Sequence, residues 1–277
     1  MSRFINLLVL VTFINLSWGQ KLVLLDSIKI DVPDSFTFYQ ADIFNSLYFV
    51  SHEDNTLLKY DHTSKNTYIL KSFSSSKKLF IVNPLFLVSL DKINKVLEFY
   101  DDKLISTQDN VPILTNQLIN PDLIYVQDNH SLLYFDELNS LNFIQYDYRS
   151  KKTILFSNTL SKDLLDNYVI KTVYSSKQSK FLLLKSNEES NKAHHYKIIK
   201  QNSQNIDTFE VPELENYGWN EQNFCWIHKG FLYLYDFENK PFQIQLPKLG
   251  KKYYILNKHL FLWKSKVMYL YTVEIEK

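Results

Sequence analysis

One cysteine, four glycines and two alanines are all that 277 residues contain of those types, and each scarcity removes a class of structure. Cys225 on its own excludes an intramolecular disulfide, so stability must come from a packed core, which a chain of this length can supply. It sits in the apolar, strand-like run Phe224-Cys225-Trp226-Ile227, the setting of a buried, inert thiol. Alanine, the best helix former, occurs only at Ala41 and Ala193, whereas 19 tyrosines and 20 phenylalanines favour strands. With glycine so rare, turns must lean on Asn, Asp and Ser, whose side chains bond the local backbone.

Charge of one sign is also lacking. There are 31 basic and 30 acidic residues, with no basic stripe, which argues against nucleic acid as a partner. The doublets Lys77-Lys78, Lys151-Lys152 and Lys251-Lys252 are expected on turns and strand edges, where they discourage edge pairing. Gly-x-Ser-x-Gly, a phosphate-cradling glycine loop and Cys-x-x-Cys are absent as motifs. One apolar run stands out, Leu7 to Leu16, after the basic start Met1-Ser2-Arg3 and before Ser17-Trp18-Gly19, which places small residues at −3 and −1 of a cleavage site. Residues 1–19 therefore read as a signal peptide and 20–277 as a single exported domain with no membrane span. No cysteine follows the cut, so a bacterial lipid anchor is not indicated.

What the chain has is repetition. Tyr60-Asp61-His62-Thr63-Ser64-Lys65-Asn66-Thr67 returns 86 residues on as Tyr146-Asp147-Tyr148-Arg149-Ser150-Lys151-Lys152-Thr153. Tyr235-Asp236-Phe237-Glu238-Asn239-Lys240 is a looser third copy. Apolar runs flank the first two copies, the pattern of strand, polar turn, strand. Tyr-Asp also closes an apolar run at Tyr100-Asp101, and strand endings recur on average about every 42 residues, the length of a propeller blade. Six groups of strands result. The sixth is one strand short, while Lys21 to Val32 is spare. An all-β, six-bladed β-propeller closed by its N-terminal strand accounts for both, the alternative being a β-sandwich. Seven blades would fit the Tyr-Asp spacing less well. Asp102 to Pro121 is expected as the longest loop, and Ser161 as the cap of a short helical turn.

Asn45-Ser46-Leu47-Tyr48-Phe49-Val50, and Asn83-Pro84-Leu85 followed by Asp91, Asn94, Val96-Leu97 and Asp101, carry a resemblance. Over Phe36 to Phe156 the chain resembles exported propeller-like proteins of Bacteroidota, a group of unsettled function. That resemblance implies export and a propeller fold, and brings no catalytic residues with it.

No residue stands out as catalytic, no cofactor is implied, and no metal site is expected. His194-His195 would point to opposite faces of a strand and lack a third ligand, and the other histidines are single. The aspartates of the Tyr-Asp pairs read as acceptors of backbone N–H bonds in turns, with the tyrosines packed between sheets. Asp101-Asp102 and Glu188-Glu189 read as solvated loops. Tyr217-Gly218-Trp219-Asn220 reads as an aromatic loop with a flexible glycine, either a binding element on one face or a tryptophan packed between blades. Two functions follow. The first is a non-catalytic protein-interaction or assembly module of the bacterial cell envelope, periplasmic or extracellular, whose partner is another envelope protein. The second is a hydrolytic or carbohydrate-binding propeller with a site built from inter-blade loops.

Overall fold

The computed structural model describes residues 20–113, 120–155, 159–176, 179–187, 195–202, 205–211, 213–220, 223–237, 240–247, 252–256 and 259–275. The expected signal peptide, His194 and Glu188-Glu189 lie outside them. The described residues form six separate four-stranded antiparallel sheets, a six-bladed β-propeller and not two facing layers. Blade 1 holds β2 (Thr37–Ala41), β3 (Leu47–Ser51), β4 (Thr56–Tyr60) and β5 (Thr67–Lys71); blade 2 holds β6 (Lys77–Asn83), β7 (Phe86–Asp91), β8 (Val96–Asp101) and β9 (Val111–Pro112). Blade 3 holds β10 (Ile124–Val126), β11 (Ser131–Asp136), β12 (Asn142–Asp147) and β13 (Lys152–Leu155). Blade 4 holds β14 (Tyr168–Ser175), β15 (Lys180–Ser186), β16 (Tyr196–Gln201) and β17 (Ile206–Val211); blade 5 holds β18 (Asn216–Asn220), β19 (Asn223–His228), β20 (Phe231–Tyr235) and β21 (Phe242–Gln245). Blade 6 takes β22 (Lys252–Leu256), β23 (His259–Lys264) and β24 (Val267–Ile275) from one end of the chain, and β1 (Gln20–Lys29) from the other. β1 runs antiparallel to β24, from Gln20 opposite Ile275 to Lys29 opposite Val267, with a bulge between Leu24 and Asp26.

The second strand of a blade is sandwiched between both neighbours, so its sequence is apolar nearly throughout instead of alternating. Leu47–Ser51 is buried at every position, and Phe224 to Ile227 likewise, which places Cys225 in the core with its thiol pushed up to about 12 by burial. Outer strands face solvent and alternate, as in Thr67–Lys71. The buried side chains fall into six clusters, each shared by two adjacent blades.

The repeated octapeptide is a turn with a specific mechanism. Asp61 Oδ1 accepts the N–H groups of Thr63 (2.8 Å) and Ser64 (3.2 Å), and Asp147 Oδ1 accepts those of Arg149 (2.9 Å) and Ser150 (2.7 Å). Four residues after each aspartate the backbone turns left-handed, at Lys65 (φ 58°) and Lys151 (φ 57°). Glycine usually fills that position, so lysine there stores strain. Asp101 accepts the N–H groups of Lys103 and Ile105 in the same manner, and Tyr100 and Tyr146 are buried as expected. The third copy of the repeat runs into residues 238 and 239, outside the described residues.

Three expectations need correction. Part of the presumed loop after Asp102 is β9, whose two residues end in a proline that only an outer strand tolerates. Ser161 precedes a 3-10 turn at Lys162–Leu164 but makes no side-chain cap bond. Tyr217 to Asn220 is no loop. It belongs to β18, and Gly218 is no hinge, because a Cβ there would lie 3.0 Å from the Ile255 carbonyl oxygen of β22.

Replacing Lys65 and Lys151 with asparagine, which tolerates the left-handed region, should stabilise the protein by roughly 0.5–1 kcal/mol per site. Urea unfolding measures this, and a loss of stability would show that the two lysines hold their turns by another interaction.

Candidate functional site

The first strand of every blade faces the propeller axis, and together they enclose a cavity of about 390 Å³. Its walls are aromatic. Phe80 meets Tyr125 edge-on at 6.2 Å between ring centroids, Tyr125 meets Tyr174 at 5.2 Å, and Tyr174 stacks on Trp219 at 5.2 Å with the planes 2° apart. This chain of rings runs from blade 2 to blade 5, with Tyr254 of blade 6 also lining the cavity. Burial, then the neighbouring phenols Tyr174 and Tyr254, raise the Tyr125 hydroxyl well above its usual pKa. Burial, then Tyr39 and Tyr174, do the same to Tyr254. Both therefore remain protonated donors.

Trp219 reaches the cavity and also packs on Phe181 (4.8 Å) and Phe224 (4.7 Å), so the inter-blade reading holds for it. Neighbouring blades press closely here, and the Asn216 side-chain amide donates to the Tyr253 carbonyl oxygen across the gap.

Among the polar groups that line the cavity without a hydrogen-bond partner among the described residues are the Gln40 amide nitrogen and the Lys78 ammonium. The Gln40 amide nitrogen is buried and unbonded. Lys78, second residue of β6, puts Nζ 4.9 Å from the centre of the Phe80 ring and makes no hydrogen bond or ion pair among the described residues. Burial lowers its ammonium to about 8, helped by the positive charge of Lys92, while Asp122 pulls the other way. Asp122 is itself bridged to Lys92 at 2.6 Å. The Lys77-Lys78 doublet follows a turn and opens the edge strand β6, as expected, but its ammonium groups face protein more than solvent. A strand start beside the axis is enclosed by its neighbours, and Lys77 is paired with Glu98 at 2.7 Å.

Asp42 supplies the cavity's other charge, at the far end of the axis from Lys78. Its Oδ1 accepts the N–H groups of Phe44 and Ser46, both at 2.9 Å, and its Oδ2 accepts the Tyr48 hydroxyl at 3.1 Å, so the carboxylate is committed to its turn. Around that end the turns carry exposed apolar side chains on blades 1 and 2: Ile43 (54%), Phe44 (60%), Leu85 (68%) and Ile105 (59%). Turns joining first to second strands and third to fourth strands lie at the same end of antiparallel blades, which puts all four on one face. Among the described residues no group of three His, Cys, Asp or Glu side chains is placed to hold a metal, and no helix is long and apolar enough to cross a membrane.

No family model matches the chain, and no curated protein matches it in sequence. Among solved structures it is similar to a virginiamycin B lyase from Staphylococcus aureus, with a TM-score of 0.53 and 9% identity, covering 92% of this chain and 100% of that one. It is likewise similar to a gluconolactonase from Xanthomonas campestris, with a TM-score of 0.52 and 9% identity over 91% and 99% of the two chains. A member of the DUF4221 family from Bacteroides vulgatus matches at a TM-score of 0.40 and 8% identity, over 92% and 98% of the chains, which does not establish the Bacteroidota grouping. At these identities the first two likenesses establish the propeller fold and nothing about activity.

The lowered Lys78 ammonium makes a signed prediction. An unfolded lysine titrates near about 10.4, so below pH 8 the folded state carries the cost of a poorly solvated charge, and that cost fades between pH 8 and about 10.4. Lys78→Met should raise stability at pH 7 by on the order of 2 kcal/mol, with the gain shrinking towards pH 10. Chemical denaturation across that range measures it, and a destabilised or pH-independent variant would contradict the assignment.

Proposed function

We propose that this propeller is a non-catalytic interaction module of the bacterial cell envelope that docks another envelope protein on the apolar face of blades 1 and 2. The observation that carries the reading is the grouping of Ile43, Phe44, Leu85 and Ile105, each more than half exposed, on neighbouring turns at one end of the ring. Exposed apolar side chains clustered in this way are a usual mark of an interface, whereas scattered ones are not. Export to the periplasm or the exterior rests on the leader-like pattern of residues 1–19, and placement among Bacteroidota propellers on the wording of Phe36 to Phe156. The hydrolytic alternative has less support, since Asp42 is the carboxylate lining the axial cavity and its oxygens already serve the turn.

Affinity capture from native envelopes, read by mass spectrometry, tests the proposal. One envelope protein should be retained stoichiometrically by the unmodified chain and lost with Phe44→Ser and Leu85→Ser, both exposed sites where the fold tolerates change. No stoichiometric partner, or one retained equally by the variants, would overturn it.

A further inference from the structure

The axial cavity holds features that docking on the outer face does not use. Its volume of about 390 Å³ falls in the range of small-molecule sites, and its walls carry rings able to stack on a flat ligand. Tyrosines in an interior ordinarily bring their hydroxyl to a partner. Tyr48 donates to Asp42 at 3.1 Å, and Tyr100 to Glu98 at 2.9 Å. Tyr125 and Tyr254, by contrast, meet other rings but make no hydrogen bond among the described residues. Both residues are partly exposed and neither oxygen is sealed off, so each opens on the cavity it lines. They reach the axis from blades 3 and 6. After burial, the phenols of Tyr174 and Tyr254 are what raise the Tyr125 hydroxyl, and those of Tyr39 and Tyr174 what raise the Tyr254 hydroxyl, so these oxygens share one region of the axis.

We infer that the propeller axis binds a small neutral molecule with a flat ring-bearing body, its hydrogen-bond acceptors facing the Tyr125 and Tyr254 hydroxyls and its ring lying against Tyr174 and Trp219. Both phenols stay protonated, so what they lack is an acceptor. An anion would supply one, but the burial that disfavours phenolate at these positions disfavours a ligand's negative charge as well, and Asp42 adds repulsion at Tyr254. A cation would find no free carboxylate, because both oxygens of Asp42 are taken by Phe44, Ser46 and Tyr48. A hydrocarbon would leave both hydroxyls unbonded in an apolar enclosure. A sugar would find stacking surfaces but few polar side chains to read its hydroxyls. A carbonyl carried on an aromatic ring meets every one of these constraints. The docking face plays no part in the argument, and either assignment can fail without the other.

Equilibrium dialysis of the full chain against 2-naphthamide, 2-naphthoate, 2-naphthylmethylammonium and 2-methylnaphthalene tests the inference, since the four share a ring and differ in the group it carries. The amide should bind at one per chain and at least tenfold more tightly than any of the other three. Tyr125→Phe combined with Tyr254→Phe keeps both rings and removes both hydroxyls. That double variant should bind the amide at least tenfold more weakly and 2-methylnaphthalene within twofold of the unmodified chain, the hydrocarbon reporting that the cavity is intact. If the amide does not bind saturably, if the acid or the ammonium binds as well as the amide, or if the double variant keeps its affinity for the amide, the inference is wrong. Equal loss of amide and hydrocarbon would also overturn it, because the hydroxyls would then be holding the cavity's shape and not the ligand.

Discussion

Every blade of this protein is apolar on both faces, and that single fact governs the architecture. A sheet with one greasy face can be covered by a helix or by a partner sheet; here each buried second strand needs a neighbour on either side. The six clusters show how the need is met, each lying between two adjacent blades with no common central core. A row of such blades would leave two faces bare. Bending the row into a ring covers them, and β1 locks the ring by joining the last blade beside β24. Ile28, Ile30 and Val32 then fill the cluster shared by blades 6 and 1, so closure is secured by packing as well as by strand pairing.

Turns are the second constraint. A propeller reverses its chain many times, and this one does so with almost no glycine. Aspartate compensates by accepting two N–H groups at the start of a turn, as at Asp61, Asp91, Asp136 and Asp147. Hydrogen bonds from the backbone help to hold these carboxyls below the ordinary carboxylate range, outweighing burial at Asp61, Asp91 and Asp136, so the turn aspartates stay ionised at neutral pH. The same tyrosine-and-aspartate wording that invites a catalytic reading is thus a device for reversing direction. It is also why the motif repeats: blades 1, 2, 3 and 5 each close their third strand on Tyr-Asp before the chain turns towards the fourth.

That repetition made the fold legible from the residues. Tyr-Asp endings gave the blade spacing, and the spare strand at one end matched the strand missing at the other. What escaped was whatever lacked alternation. β18 contains Gly218, which reads as a break, although the residue is there because Ile255 leaves no room for a side chain. β9 is two residues long and closes with proline. The axial cavity was invisible for a different reason. Gln40, Lys78, Tyr125, Tyr174, Trp219 and Tyr254 lie far apart in the chain and share no motif. Only the recurrence of an aromatic in the first strand of each blade hinted at them. Lys78 was concealed by its neighbour, since a lysine doublet resembles solvated surface until the strand is seen to start at the axis.

The ring makes the cavity and the apolar face possible, because both are assembled from blades that only closure holds together. Hydrogen exchange addresses closure most directly. If β1 completes blade 6, the amides of residues 20–29 that bond to β24 should be protected as strongly as those of 259–264 in β23, while the alternate amides of this edge strand exchange freely. Exchange of every amide of 20–29 within seconds, those facing β24 included, beside lasting protection of 259–264, would mean that the ring is held shut by something other than its amino-terminal strand.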